Sequence, residues 1–494
     1  MPQILAFDLG GSSLRLAIVG SDGGFMALVR KPLSIHSTDG VSFDVDPMKW
    51  WNAFLDGCAE LAAAGHDLAA LSAIAGCGFT RTQVFLDGSR RVVRPAIPFQ
   101  DSRSAPLLEG MKADAPEAVR NVIKNLSPYD PLSRLVWLRK NEPDNWVKLR
   151  KVIEPKDFLN LMLTGVAASD PISQTPMKRA TEESQGDVLG ALGIDRCILP
   201  DIHSPFAVVG NVQQGLPEPL SNLGGIPVYC GSIDTWSNVL GSGALTPGLA
   251  YSISGTSDVS GVISGKAYAA PGLLTVQWGA GIWQLGGPSQ GAATRLQWAL
   301  DRFCPDVSAA QTLRAAITRT GDAPLFLPYL DGERTPWWDP NLRGAFLGLR
   351  TTHDGHDFVR AVAEGMNYLS REILFRAEQA TGTAVGHVSF SGGLASNPAL
   401  CQLKADVLNR PVFVPANSET GLMGAARIPG ADGTSASPAG KLEGIFYQPN
   451  PDRRRYHDDR FWIFQKASAV NADISHQMVG SSRAGPQPSS APVG

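Results

Sequence analysis

Two short stretches, 244 residues apart, share one pattern of apolar runs around a turn of glycine and hydroxyl residues. Residues 3–19 read QILAFDLGGSSLRLAIV, and residues 250–263 read AYSISGTSDVSGVI. An apolar run entering and leaving such a turn is typical of a β-hairpin. The turn residues that coincide at this offset are Gly11 with Gly255, Ser12 with Thr256, and Ser13 with Ser257. Two similar hairpins, near the starts of two halves of similar size, predict a chain of two related domains.

Length and composition agree with a multidomain globular protein. At 494 residues the chain is too long for one ordinary core. Hydrophobic residues make up 43% and charged residues 18%. Segments with helical spacing alternate with short apolar runs, which favours α/β layers. The formal net charge of −3 argues against a nucleic-acid partner, which would favour a strongly basic face.

The chain carries no recognisable targeting or membrane segment. The N-terminus lacks a basic region and Asp8 interrupts its first apolar run, so no signal peptide is predicted. No apolar run approaches the ~20 residues of a membrane span, and we predict a cytoplasmic protein with no membrane partner. The six cysteines form no CxxC pair, which disfavours a zinc site. Residues 466–494 are predicted to form a disordered tail, because the sequence ends in a run of Gly, Ser, Pro and Ala.

The two glycine–hydroxyl turns are candidates for phosphate binding. Such turns present backbone N–H groups in a concavity that suits a phosphate, and two of them could hold one polyphosphate. Asp8, at the end of the first predicted strand, is placed to hold Mg²⁺ beside those phosphates. Taken alone, each turn could equally be an ordinary hairpin.

A third loop, SGGLASNP at residues 391–398, leads from a predicted strand into a helix. Glycines there let a nucleotide approach the backbone, and a helix N-terminus favours negative charge. A plain strand-to-helix turn would have the same pattern. Neither GxGxxG nor GxxxxGK[ST] occurs, which argues against a dinucleotide fingerprint and a P-loop.

Asp234 is the candidate catalytic base. It lies in GSIDTWSNVLGSG, residues 231–243, where a predicted strand turns into a helix. A carboxylate there can cap the helix. It can also take the proton from a hydroxyl that attacks the γ-phosphate of a nucleotide. The two roles are compatible, since a capping position would hold the carboxylate in place.

Seven motifs in order give the chain a family resemblance. The chain resembles the FGGY carbohydrate kinases, nearly colinearly from Ile4 to about Arg460, in DLGGSSLR, GSIDTWSNVLGSG, SGTS, GGPSQGAATRLQWALDRF, PYLDGERTPWWDPNLRGAFLGL, RAVAEGMNYLSREIL and SGGLASNPALCQLKADVLNRPV. The resemblance implies an α/β fold of two related actin/hexokinase-type (ribonuclease H-like) ATPase domains with an active-site cleft between them. It implies a sugar-side domain at residues 1–245 and an ATP-side domain at residues 246–465. The segment 427–440 departs from the family pattern, which has an apolar helix there.

The resemblance also implies an ATP- and Mg²⁺-dependent sugar or polyol kinase. Asp234 would be the general base, and Asp8 and Asp234 would lie at the metal. The residues implied in ATP binding are Gly11, Ser12, Ser13, Arg15, Gly255, Thr256, Gly291, Gly392, Gly393 and Asn397. The residues implied on the sugar side are Thr80, Arg81, Phe99, Gln100, Asp101 and Thr235, for most of which an ordinary surface loop is the alternative. The remaining charged residues of the motifs are predicted to be structural, namely Lys156, Asp157, Glu333, Arg334 and Arg343.

The general layout is most similar to that of xylulokinases, which favours a ketopentose such as D-xylulose. Thr80-Arg81 stands where that group usually has Met-His, and Asp234-Thr235 stands where it usually has Asp-Asn. Asp-Thr is more similar to the kinases of rhamnulose and fuculose. The substrate therefore stays open among ketopentoses, deoxyketoses, ribulose, erythritol, glycerol and gluconate.

A non-catalytic protein that senses a sugar or nucleotide on the same fold is a second hypothesis. Family members often form homodimers, and the sequence shows no interface signature.

Overall fold

The computed structural model describes residues 3–37, 39–181, 186–305, 308–431 and 442–483. The chain divides into two compact units. The first unit comprises Met1–Gly241 with Glu419–Lys441, and the second comprises Ser242–Ser418 with Leu442–Gly494. The predicted change of domain at residue 245 lies close to the observed change after Gly241. The return of the chain to the first unit at Glu419 was not predicted.

Short strands and helices alternate along most of the chain. The strands are β1 (Gln3–Leu9), β2 (Ser13–Val19), β3 (Phe25–Pro32), β4 (His36–Ser37), β5 (Phe43–Asp44), β6 (Leu71–Gly78), β7 (Val84–Leu86), β8 (Lys151–Ile153), β9 (Ala168–Ser169), β10 (Asp201–Ile202), β11 (Val208–Asn211), β12 (Pro227–Tyr229), β13 (Ser232–Ile233), β14 (Ala250–Ser254), β15 (Asp258–Ser264), β16 (Leu274–Gly279), β17 (Ile282–Pro288), β18 (Leu325–Leu327), β19 (Ala345–Leu347), β20 (Val388–Ser391), β21 (Val412–Pro415) and β22 (Gly444–Tyr447). The helices are α1 (Met48–Ala63), α2 (Leu108–Ala113), α3 (Arg120–Lys124), α4 (Pro131–Asn141), α5 (Pro143–Lys148), α6 (Pro155–Thr164), α7 (Thr175–Arg179), α8 (Val188–Ala191), α9 (Asp234–Gly241), α10 (Ala293–Phe303), α11 (Ala309–Ile317), α12 (Gly355–Thr381), α13 (Pro398–Leu408), α14 (Thr420–Arg427) and α15 (Pro451–Arg483).

The main sheets of the two units have the same strand arrangement. In the first unit the order is β3-β2-β1-β6-β12-β11, and in the second it is β17-β15-β14-β20-β21-β22, with β16 beyond β17. In both, the first three strands are antiparallel, the next two are parallel to the third, and the last is antiparallel. This agreement confirms the predicted α/β fold of two related halves.

The two glycine–hydroxyl turns connect equivalent strands but differ in length. Leu9 pairs with Leu14, which leaves four residues in the first turn. Ser254 pairs with Asp258, which leaves three residues in the second. The strands after the two turns, which contain Leu14 and Asp258, are therefore 244 residues apart in equivalent positions. The strands before the turns are one residue further apart.

Helix α14 joins the first unit by packing closely against α9 and the neighbouring strands β1 and β6. A Cβ on Gly424 would lie 1.8 Å from the carbonyl oxygen of Ser237, and a Cβ on Gly241 would lie 1.9 Å from that of Thr420. Only glycine allows so close an approach of two backbones. The Ser237 hydroxyl also donates a hydrogen bond to the carbonyl of Gly421 at 2.9 Å.

The prediction of a disordered tail from residue 466 is wrong for residues 466–483, which continue helix α15. This helix buries Phe461, Phe464, Ser468 and Ser475 at helical spacing. Ser468 is hydrogen-bonded to the Tyr329 hydroxyl at 2.7 Å. The buried face continues through small polar residues, and apolar periodicity therefore did not reveal it. The end of the predicted tail, residues 484–494, and most of the atypical segment 427–440 lie outside the described residues. No helix in the described part of the chain is both long and apolar enough to cross a membrane.

Candidate active site

Three strands of the first unit bring the predicted catalytic residues to one edge of its sheet. β1 is parallel to β6, with Asp8 beside Cys77, and β13 is parallel to β6, with Ser232 beside the same Cys77. The carboxyl ends of parallel strands meet at one edge, which is where α/β proteins bind ligands. Asp8 near the end of β1 and Asp234 directly after β13 therefore belong to one site.

The Asp8 carboxylate is buried and forms an ion pair with Arg15. A second guanidinium nitrogen of Arg15 forms an ion pair with Glu419, the residue before α14. Burial raises the pKa of Asp8 to about 6, because lost hydration outweighs the attraction of Arg15, and the nearby Asp234 carboxylate adds to the rise. Arg15 thus links the first turn to the segment that returns from the second half of the sequence.

Asp234 is the first residue of α9, as predicted. Its Oδ1 atom accepts hydrogen bonds from the Thr235 N–H at 2.5 Å and from the Thr235 hydroxyl at 3.1 Å. The side chain is exposed to solvent. Surrounding protein nevertheless removes part of its hydration, which raises its pKa above the ordinary value. An accessible carboxylate with a raised pKa is suited to accept a proton.

The first glycine–hydroxyl turn lies beside the predicted sugar-side loops. Within the turn, the Gly10 N–H donates to the Ser13 carbonyl at 2.9 Å. A Cβ on Gly11 would be 3.8 Å from the Phe99 ring, and Ser12 is exposed. The turn therefore has room for a ligand on its outer side.

The two sugar-side segments are held together by hydrogen bonds. Gln83 and Ile97 bond to each other through both backbone N–H groups. The buried Arg134 guanidinium donates to the carbonyls of Arg81 at 2.6 Å and Phe99 at 3.1 Å. Thr80 is partly exposed, and Arg81, Phe99 and Gln100 are exposed. Arg81 has a φ of 57°, an unusual backbone conformation for a residue other than glycine.

Asp101 has a different role from the predicted sugar contact. It is fully buried. Its carboxylate accepts hydrogen bonds from Arg103 Nε at 2.8 Å and from the Phe43 N–H at 2.6 Å. A carboxylate occupied in this way supports the loop rather than a ligand.

In the second unit, the predicted nucleotide segments also come together. The carbonyls of Thr256 and Gly255 accept hydrogen bonds from the N–H groups of Ala292 and Ala293, which follow Gly291. A Cβ on Gly392 would lie 2.5 Å from the Ser254 carbonyl oxygen, and its φ is 87°. The structure thus joins the second turn to both of the other glycine loops.

Two further predicted residues of this unit differ in their surroundings. Gly393 has open space at its Cβ position. Asn397 is the N-cap of α13, since its side-chain oxygen accepts from the Ala399 and Leu400 N–H groups at 3.0 and 3.3 Å. Its oxygen is thereby committed to the helix.

The charged residues predicted to be structural have structural partners. Glu333 forms a buried ion pair with Arg295 at 2.7 Å and accepts the Gln290 N–H at 2.6 Å, so it supports the loop before Gly291. In the first unit, Lys156 forms buried ion pairs with Asp157 and with Asp170, the latter at 3.0 Å.

Three residues with a place in this site were missed by sequence analysis. Glu419 lies far along the chain from Arg15, and Arg134 acts through backbone carbonyls that have no sequence signature. Cys77 is buried beneath Asp8, and its Sγ lies 3.9 Å from the Gly421 carbonyl oxygen. Only the pairing of β1 with β6 could have suggested the position of Cys77.

The residues around Asp8 suit a metal ion that binds together with substrate phosphates. They are less suited to a metal ion held by the protein alone. Among the described residues, no group of three or more His, Cys, Asp and Glu side chains is arranged to hold a metal. Mg²⁺ typically keeps several waters and uses one or two carboxylates together with substrate phosphates. Asp8 and Asp234 provide such a limited set.

Comparison with known proteins identifies the family of the chain. The chain matches the FGGY family of carbohydrate kinases, N-terminal domain, over residues 3–241, and the C-terminal domain of that family over residues 250–431. A xylulose kinase of Lactococcus lactis is 26% identical, with 97% of this chain and 99% of that protein covered.

Solved structures show the same fold with different named activities. The ligand-bound xylulose kinase of Lactobacillus acidophilus has a TM-score of 0.85 at 21% identity, covering 97% of this chain and 100% of that one. The gluconate kinase of the same organism has a TM-score of 0.83 at 22% identity, covering 95% and 98%. At these identities the likeness shows the fold and leaves the substrate open. Since the two family models together match well over half of the sequence, the chain belongs to the FGGY family of carbohydrate kinases, enzymes that transfer phosphate from ATP to a sugar.

Proposed function

We propose that this kinase phosphorylates a hydroxyl of a ketopentose such as D-xylulose, with Asp234 as the general base. The observation that carries the proposal is the environment of Asp234. Its carboxylate is accessible, lies at the same sheet edge as Asp8, and has a raised pKa. A substrate hydroxyl can therefore reach a group that is able to take its proton.

The proposed reaction is one in-line transfer. The sugar hydroxyl donates its proton to Asp234 as its oxygen attacks the γ-phosphorus of ATP, and ADP leaves. Because Thr235 holds Oδ1, we assign the proton to Oδ2. Arg15, a cation beside the first turn, orients the transferred phosphate. Asp8 and Asp234 would hold Mg²⁺, which when bound neutralises charge on the phosphates.

The two units have different parts in this proposal. The first unit supplies the base, Arg15 and the sugar-side loops. The second supplies the nucleotide segments around Gly255, Gly291 and Gly392, whose backbones approach one another closely. The exposed Phe99 ring offers an apolar surface to the C–H groups of a sugar.

A deoxyketose is the alternative substrate. Its support is Thr235, whose hydroxyl is bound to Asp234 where a xylulokinase usually has asparagine. Ribulose, erythritol, glycerol and gluconate remain further candidates within the family.

The test is ADP release measured over a panel of these sugars and polyols, with the wild type, Asp234→Asn and Asp195→Asn. The control, Asp195, is another exposed aspartate of the first unit and caps a short 3₁₀ helix. We expect Asp234→Asn to lower kcat by roughly 10²- to 10⁴-fold and to keep ADP binding, since asparagine preserves the Oδ1 acceptor. Asp195→Asn should keep full turnover. An Asp234→Asn variant with more than a tenth of wild-type kcat would refute the base, and a higher kcat/KM on another sugar would refute the substrate.

A further inference from the structure

The second unit contains two buried charged residues that the proposed reaction does not use. Asp258 follows the second glycine–hydroxyl turn, and Lys404 lies in the middle of α13. Their exposed fractions are 8% and 3%. Buried charges are costly to keep unless they are hydrogen-bonded and paired, so their surroundings are informative.

Asp258 is surrounded by serine hydroxyls. Its Oδ1 accepts from Ser252 at 3.1 Å and also from Ser254. Its Oδ2 accepts from Ser260 at 2.8 Å and from Ser370 of α12 at 3.1 Å. Four donors thus satisfy both oxygens of one carboxylate.

Lys404 faces the same group from the other side. Its Nζ donates to Asn367 Oδ1 at 3.1 Å and to the Ser370 hydroxyl at 3.5 Å, and it lies 4.7 Å from the centre of the Phe390 ring. Burial lowers the pKa of Lys404, and the Asp258 charge opposes that change. Ser370 therefore bridges the ammonium group and the carboxylate.

This network contacts each of the three candidate nucleotide segments. Ser254 directly precedes the Gly255–Thr256 turn. The backbone carbonyl of Asp258 accepts the Ser289 N–H at 2.8 Å, in the loop that leads to Gly291. Lys404 belongs to the helix that Asn397 caps.

A cavity lies between these segments. Its volume is about 20 Å³, and its lining includes Ser254, Asp258, Ser289, Gly291 and Lys404. The network therefore forms part of the wall of a small cavity, with room for about one water molecule. A shift of the network would change the shape of that space.

We propose that Asp258, Ser370 and Lys404 form a positioning network that holds the Gly255–Thr256 turn against helix α13 and so sets the affinity for the nucleotide. The inference rests on the proposed ATP site of the second unit. These three residues act through the turn and the helix and do not touch the reacting atoms.

The experiment measures ADP and ATP binding to the full chain by titration calorimetry, beside steady-state kinetics. The variants are Ser370→Ala, a small change that keeps the buried charges, and Lys404→Met. The control is Leu403→Ala, which removes core packing from the neighbouring residue of the same helix and leaves the network intact. Thermal unfolding of all variants measures their loss of stability, so that the nucleotide affinities of equally destabilised variants can be compared.

We expect Lys404→Met to weaken nucleotide binding about tenfold and Ser370→Ala about threefold, with the KM for sugar unchanged. Leu403→Ala should lower the unfolding temperature without this change in affinity. If the network is purely structural, nucleotide affinity should fall in step with stability in every variant, including Leu403→Ala. That result would overturn the inference, and so would equal nucleotide affinities of Ser370→Ala and the wild type. If the wild type binds nucleotide but the variants match it, this inference fails alone. If the wild type binds none, the proposed ATP site fails with it.

Discussion

Gly424 offers the most direct test of how the first unit is assembled. A Cβ at this position would lie 1.8 Å from the Ser237 carbonyl oxygen, whereas ordinary contact begins near 3.4 Å. In Gly424→Ala, helices α14 and α9 must therefore separate by roughly 1.5 Å. The contact is with backbone, so no side-chain rotation can relieve it.

The expected cost follows from this geometry. Overpacking of a tight interface costs typically 1–3 kcal/mol, and a clash with backbone belongs at the upper end. For a unit of this size, about 3 kcal/mol corresponds to a fall in Tm of roughly 10 °C. Because α9 begins with Asp234 and α14 directly follows Glu419, a displacement of about 1 Å should also lower kcat on the order of 10²-fold.

The assay is thermal unfolding followed by circular dichroism, with kcat measured on the same samples. Gly110→Ala is the matched control, because this helical glycine of α2 has no atom within 4 Å of its Cβ position. The same methyl group there should leave stability unchanged or raise it by up to about 1 kcal/mol. Equal Tm values for the two variants would refute the close backbone packing of α9 and α14.

Three further changes test other parts of the first unit. Burial raises the pKa of Glu154 to about 8, so its stabilising contribution is complete below about pH 4.5 and is lost as pH rises toward 8. The free energy of unfolding of Glu154→Gln should therefore rise relative to that of the wild type between pH 5 and 8, by on the order of 1 kcal/mol per pH unit, and parallel pH curves would contradict this. Arg134→Met leaves the carbonyls of both sugar-side loops without their donor, so it should raise the KM for sugar about tenfold and leave the KM for ATP unchanged. A change in both constants would point to general unfolding. Glu419→Gln removes one of the two carboxylates paired with Arg15 and should raise the KM for ATP by roughly fivefold, the equivalent of about 1 kcal/mol for a partly exposed pair. An unchanged KM for ATP would show that Asp8 alone holds Arg15.

Turns and helix starts were predictable from the sequence where they depend on a few consecutive residues. The hairpin around Gly11, its counterpart around Gly255 and the helix start at Asp234 each depend on a few consecutive residues. Apolar runs of the right length around small residues define such elements in almost any context. The same motifs, taken in order, also indicated the family.

Other predictions differ from the structure because burial of a polar side chain depends on its hydrogen-bond partners, several of which lie far along the chain. Asp101 was a candidate sugar contact, with a surface loop as the alternative, but Arg103 and the distant Phe43 backbone hold its buried carboxylate. Residues 466–483 looked like part of a polar tail, but Ser468 and Ser475 find hydrogen-bond partners in the second unit. Polar residues carry no periodic signal of burial, since their burial is stabilised only where a specific donor or acceptor meets them.

The residue pattern alone indicated two related α/β halves and singled out Asp8, Asp234 and three glycine loops as candidate functional features. Which of these residues lie close together followed only from the folded chain. Sheet pairing brought Asp8 and Asp234 to one edge, and the return of α14 placed Glu419 against Arg15. Ion pairs and backbone contacts act over a few ångströms in space, whatever the separation along the chain.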